Sequence, residues 1–216
     1  MGDFVIRALA TLVGALAAFG LAWVRLLYER RTDQIEKLKT AIFVLILQRE
    51  FLRNVRAQRL VPAQGHPLGA FAIPPILAAP PTDTVSVTPL AYLLANGEAE
   101  IISYLTLADA KYRSVASLIE ARNKVHYAFQ EKLAASPQGV PGATGTLDDV
   151  RRIAGLAISG QIEQMTGDLL ANTDDAITFN KEAIEKAFAC FKRQFPRARH
   201  FGVEDIPLVE SPSHAG

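Results

Sequence analysis

The chain has 216 residues, with 23 Lys and Arg against 22 Asp and Glu and a formal net charge of +1. That balance excludes nucleic acid as a bulk electrostatic partner. The single cysteine, Cys190, excludes an internal disulfide and fits a reducing compartment. With only four histidines and no Cys/His cluster, neither a metal site nor a cofactor is expected.

The first element is a run of 17 uncharged residues, 8–24. As a helix it covers roughly 25 Å, slightly short of a ~30 Å hydrocarbon core. Phe4, Val5 and Ile6 extend it beyond Arg7, and Leu26, Leu27 and Tyr28 extend it beyond Arg25. Both arginines lie near the ends, where long side chains snorkel to the headgroups. Trp23 and Tyr28 mark one edge as interfacial aromatics. The pattern predicts a single transmembrane helix over residues 4–28, within an anchor segment 1–31. Arg7 precedes the run, whereas Arg25, Arg30, Arg31, Lys37 and Lys39 follow it, so the bulk of the chain is expected in the cytosol.

Two other readings compete with the anchor. A signal peptide would use Ala15-Leu16-Ala17 as its cleavage site. Against it, Asp3 weakens the basic leader, and the apolar run continues to Val24 before arginines follow, as in a stop-transfer pattern. A buried first helix of a soluble protein rarely carries so long an uncharged run. Within the run, Ala10, Gly14, Ala18 and Ala22 recur every four residues, a small-residue seam suited to helix pairing. Chance also makes such rows where eight of 17 residues are Ala or Gly.

A second helix is expected over residues 33–60. Thr32 and Asp33 offer a cap, yet no Gly or Pro interrupts residues 21–61, so a continuous rod from Phe4 to about Leu60 is the alternative. Val44, Leu47, Phe51 and Val55 form an apolar stripe, and Arg49, Arg53, Arg56 and Arg59 a basic one that reads as a solvated face. Residues 61–88 form a Pro-rich connection: seven of 12 prolines fall between Pro62 and Pro89. Pro74-Pro75 and Pro80-Pro81 forbid regular helix there. Phe71, Ile73, Ile76 and Leu77 suggest that it packs along the bundle rather than hanging free.

Thr88-Pro89 opens a short helix over 89–95 that ends at Asn96-Gly97. Next comes a long helix over 98–135. Ile101, Leu105, Ala108, Tyr112, Val115, Ile119, Arg122, His126, Phe129 and Leu133 alternate steps of four and three, a heptad seam. A Gly/Pro-rich turn at 139–145 leads to Thr146, the cap of a last helix expected over 147–195 as one long or kinked element. Residues 196–216 read as a flexible tail. The chain is thus expected to be all-α: one spanning helix, then an antiparallel bundle of three or four long helices at 32–195 with coiled-coil-like packing.

Arg122 and His126 interrupt the apolar seam on one helical face, with Asn123 alongside. Such groups need partners, and Glu163, Asp168 and Asp174 on the last helix are candidates. The layer reads first as a device that fixes helix register. As a functional element it would be a ligand pocket or a pH sensor. No second convergent group suggests catalysis, so no enzyme is expected. Cys190, between Phe188 and Phe191, reads as a small core residue. The expected function is a membrane-anchored scaffold or protein-interaction module. Its partners would be the lipid bilayer, a further copy of the chain through the spanning or bundle helices, and an unidentified protein. The plan resembles that of small bacterial membrane-anchored helical proteins, which implies the bacterial inner membrane.

Overall fold

The computed structural model describes residues 2–136, 146–196 and 198, with side chains from residue 11 onward. The fold is an all-α bundle, and the described residues contain no strand. Helix α1 spans Gly2–Val55 and passes through a π-helical turn, Arg56–Leu60, into the short α2, Val61–Gln64. A largely extended strap, residues 65–87, includes the 3-10 turn Gly69–Ala72 and leads into a second 3-10 turn, Thr88–Leu90. The short α3, Tyr92–Ala95, leads to α4, Ala99–Ala135, then α5, Leu147–Ala154, and α6, Leu156–Gln194.

The anchor and the second expected helix are one element. Thr32 does not cap, because its hydroxyl donates to the Tyr28 carbonyl one turn back (3.1 Å) and leaves the helix ladder intact. At about 1.5 Å per residue, the 54 residues of α1 make a rod roughly 80 Å long. Its helical end is displaced by Pro62, whose ring would collide with the carbonyl four residues back. The π-turn relieves that crowding, with the Val61 N–H donating to the Arg56 carbonyl five residues earlier.

Residues 11–30 of α1 are exposed throughout, and burial begins in earnest at Leu38. From there α1 packs on α6 and α4. Arg56 pairs with Asp174, and Lys39 lies over the Phe191 ring (5.8 Å), so α1 and α6 run antiparallel. Helices α4 and α6 are also antiparallel. Glu98 pairs with Arg193 (2.8 Å), Glu100 with Lys186 (3.1 Å) and Lys111 with Asp175 in descending order. The expected α4 seam is buried from Ile101 to Phe129, with Leu133 partly covered.

The last helix differs from the expectation. Residues 147–194 do not form one element: Gly155 breaks them at φ 80°, ψ 156°, a conformation essentially confined to glycine. Thr146 and Asp149 form a reciprocal capping box at the start of α5. Lys132 donates to the Ala154 carbonyl (3.1 Å) at its end. The bend folds α5 back so that Leu147, Val150 and Ala154 join Phe71, Phe129 and Ile162 in a small apolar cluster. The expected turn at 139–145 lies outside the described residues, as does nearly all of the expected tail.

Candidate functional site

The polar residues of the α4 seam converge on the strap, residues 65–87. Arg122 is completely buried. Its Nε donates to Thr166 Oγ1 on α6 (3.0 Å), and its Nη2 donates to the carbonyls of Ala70 (3.0 Å) and Ile73 (2.9 Å). Asn123 meets Ile76 as one edge of a ladder meets another. Its Nδ2 donates to the Ile76 carbonyl, and its Oδ1 accepts from the Ile76 N–H, each at 2.9 Å. His126 is nearly buried, with its ring edge-on to Phe129 at 5.6 Å.

The carboxylates expected to balance this layer are elsewhere. Glu163 binds Arg151 (2.8 Å), Asp174 binds Arg56, and Asp168 is exposed. Arg122 therefore keeps its charge among carbonyl dipoles. Burial pushes its pKa down to about 10, which leaves it a cation at neutral pH. Burial first, and the Arg122 charge second, push His126 down to about 4, so its imidazole is neutral.

A second polar node went unseen in the sequence. Gln48 of α1 and Asp109 of α4 are both buried and bonded through Gln48 Nε2 and Asp109 Oδ1 (2.8 Å). Gln48 Nε2 also donates to the Asp83 carbonyl (3.1 Å), and Asp109 Oδ1 accepts from the Val85 N–H (3.3 Å). Arg113 completes the carboxylate's shell at 3.0 Å, and the Tyr112 hydroxyl donates to the Pro81 carbonyl (2.8 Å). Together the two nodes bind seven main-chain groups of a strap that has no ladder of its own. Buried backbone donors and acceptors must be paired, so a Pro-rich segment carrying Phe71, Ile73 and Ile76 into the core requires side chains of this kind. That requirement, joined to the i,i+4 pair Asp109–Arg113, was the signal available in the sequence.

The chemistry of these nodes is fastening. The guanidinium and amide groups of both nodes act chiefly on main chain. Cys190 is fully buried, and burial pushes its thiol up to about 11, far from a reactive thiolate. Among the described residues no group of three His, Cys, Asp or Glu is arranged to hold a metal.

In the apolar part of α1, Gly14, Ala18 and Ala22 are exposed, and a Cβ at Gly14 would meet nothing within 4 Å. The side chain of Ala10 lies outside the described residues. Among the described residues one helix, α1, is long and apolar enough to cross a membrane, and the apolar window in it is 0% buried. No protein-family model, curated protein sequence or solved structure matches this chain.

Proposed function

We propose that the chain is a single-pass membrane protein whose cytosolic bundle serves as a non-enzymatic scaffold or interaction module. The observation that carries this reading is the division of α1. The same unbroken helix is wholly exposed and apolar over residues 11–24, then supplies core residues from Leu38 onward. An apolar helix left that bare in water would be a gross aggregation liability, and a bilayer removes it. The excess of arginine and lysine after residue 24 supports a cytosolic bundle, and a bacterial inner membrane suits a single unpaired cysteine.

A rigid junction suits a scaffold. Because no break separates the span from the bundle, the bundle's position over the membrane follows from one helix. Self-association through Gly14, Ala18 and Ala22 or along the coiled-coil-like helices α4 and α6 is part of the proposal. The alternative, a ligand or pH sensor around Arg122 and His126, has less support because the bonds of Arg122 go to the strap and to Thr166. The test is crosslinking in intact cells, combined with a topology reporter fused after Gly216. A cytosolic reporter and a discrete crosslinked partner or second copy are expected. An extracytoplasmic reporter, or a chain that crosslinks to nothing, would overturn the reading.

A further inference from the structure

We propose that a groove at the base of the bundle binds the phosphate of an anionic phospholipid, gripped by Arg30 and Arg31. The inference rests on the spanning role of α1 and names a partner for it. The groove is about 370 Å³ and lies where α1 leaves its apolar stretch: Leu27, Arg30, Arg31 and Gln34 form one wall. The other wall is Asn96, after α3, with Gln194 and Phe195 at the end of α6.

Its height matches a headgroup layer. Arg30 and Arg31 lie two and three residues beyond Tyr28, or about 3–5 Å along the axis. The polar layer of one leaflet is about 5–8 Å thick. Leu27 would then face the start of the acyl chains, and Gln34 the cytosolic water. The apolar face of α1 continues below, bare for the length of an acyl chain. A ligand with an anionic head at this level and an apolar tail alongside the helix fits both halves.

The charges at the base are arranged unevenly. Nearby acids are already engaged: Glu29 with Arg25 (2.7 Å), Asp33 with Lys37, and Glu98 with Arg193 (2.8 Å). Among the described residues neither Arg30 nor Arg31 has an ion-pair partner. Successive helical positions diverge by about 100°, yet both arginines line the same groove. The opposite wall is fixed and neutral. Asn96 donates to Gln194 (3.0 Å), which donates in turn to Glu98 (3.3 Å), and Tyr92 anchors α3 to the Gln34 carbonyl (2.9 Å). Two forked guanidiniums facing neutral amides, with the nearby acids already engaged, match a phosphodiester of net negative charge better than one whose head also carries an ammonium, since that ammonium meets only arginines and amides.

Trp23 is the chain's single tryptophan and sits seven residues, about two turns, below Arg30 on the same face. The full chain is reconstituted in phosphatidylcholine nanodiscs containing a minor fraction of lipid brominated on its acyl chains, either phosphatidylglycerol or phosphatidylcholine. Trp23 quenching then reports which lipid sits beside it. Brominated phosphatidylglycerol should quench about fivefold more strongly or better, since one basic side chain at an anionic surface gives roughly that enrichment. Arg30→Gln with Arg31→Gln should bring the two lipids level, while Arg25→Gln should leave the preference in place.

Equal quenching in the wild type overturns the proposal, as does a preference that survives in the double variant or is lost equally in Arg25→Gln. If inorganic phosphate abolishes the preference and chloride at matched ionic strength does not, the groove takes a free ion rather than a lipid, and the proposal also fails. Quenching by neither lipid is a different result: Trp23 is then outside the bilayer, and the spanning role of α1 falls with it.

Discussion

Arg122 holds a charge inside the bundle without a carboxylate, and its consequences are local. Replacing it with Leu removes a desolvated cation, which favours the variant, but strands the Ile73 carbonyl in a buried position and frees that of Ala70. A stranded acceptor costs about 1–3 kcal/mol. We expect Arg122→Leu to lower stability within that range and to raise amide exchange across residues 68–77 while the α4–α6 core stays protected. Unchanged exchange in the strap would show that the arginine does not fasten it. His126 gives a pH signature from the same layer. Its folded pKa, about 4, lies below the ordinary value of 6.5, so folding favours the neutral ring. The unfolded chain therefore binds the extra proton between those values, and the contribution of His126 to stability rises with pH from about 4 to 6.5 and is flat above. A shift of that size corresponds to about 3 kcal/mol at full titration. His126→Phe should remove this slope in denaturant titrations at pH 4.5 and 7; an identical slope in the variant would place the acid sensitivity elsewhere.

At the scale of elements, Gly155 decides the shape of one end of the bundle. Its φ of 80° with ψ of 156° is barred to residues with a Cβ, although a Cβ there would have only Lys132 Nζ nearby, at 3.8 Å. The obstacle is thus backbone strain, on the order of 1–3 kcal/mol. Gly155→Ala should destabilise by that amount, keep helix content, and raise exchange in α5 as the helix straightens away from Phe129 and Ile162. A silent substitution would mean that α5 gains nothing from its fold-back. The sequence made the helices legible wherever apolar residues carried the period, as from Ile101 to Phe129. It hid the bend, because a lone glycine in a helical pattern is usually tolerated and only the capping box at Thr146 hints at a separate short helix. It also hid part of the seam of α6: Thr173, Ala176, Asn180, Ala183 and Ala187 are buried beside the legible Ile162, Leu169, Ile184, Phe188 and Phe191. Small and polar side chains do not register in a hydrophobic period, yet they are what lets α1 and α4 approach. The role of Arg122 and Asn123 was half legible: they were visible as interruptions, but their partners are main-chain groups of a segment whose path no periodicity encodes.

For the whole molecule, the question is how much of the fold depends on the exposed part of α1. Every buried apolar side chain among the described residues lies at Leu38 or later, and Ile35 is the first to pack against the core from outside. The three apolar clusters are therefore complete without the exposed apolar part of α1. Helix formation gives no reason for the rest of α1 to propagate instability inward, since helix ends fray locally and tertiary packing supplies most helix stability. Removing residues 1–31 should leave a helical bundle that is soluble without detergent, unfolds cooperatively, and loses no more than the about 0.5 kcal/mol typical of changes away from packed sites. Circular dichroism with denaturant titration measures this, and flotation with vesicles measures the accompanying loss of membrane association. Two outcomes cut in different directions. If the truncated chain aggregates or melts without a transition, the bundle depends on the part of α1 below Leu38, and rod and bundle form one folding unit. If instead the full chain proves monomeric and soluble without detergent, the bare apolar length of α1 has found cover within the chain itself, and the membrane reading fails while the bundle stands.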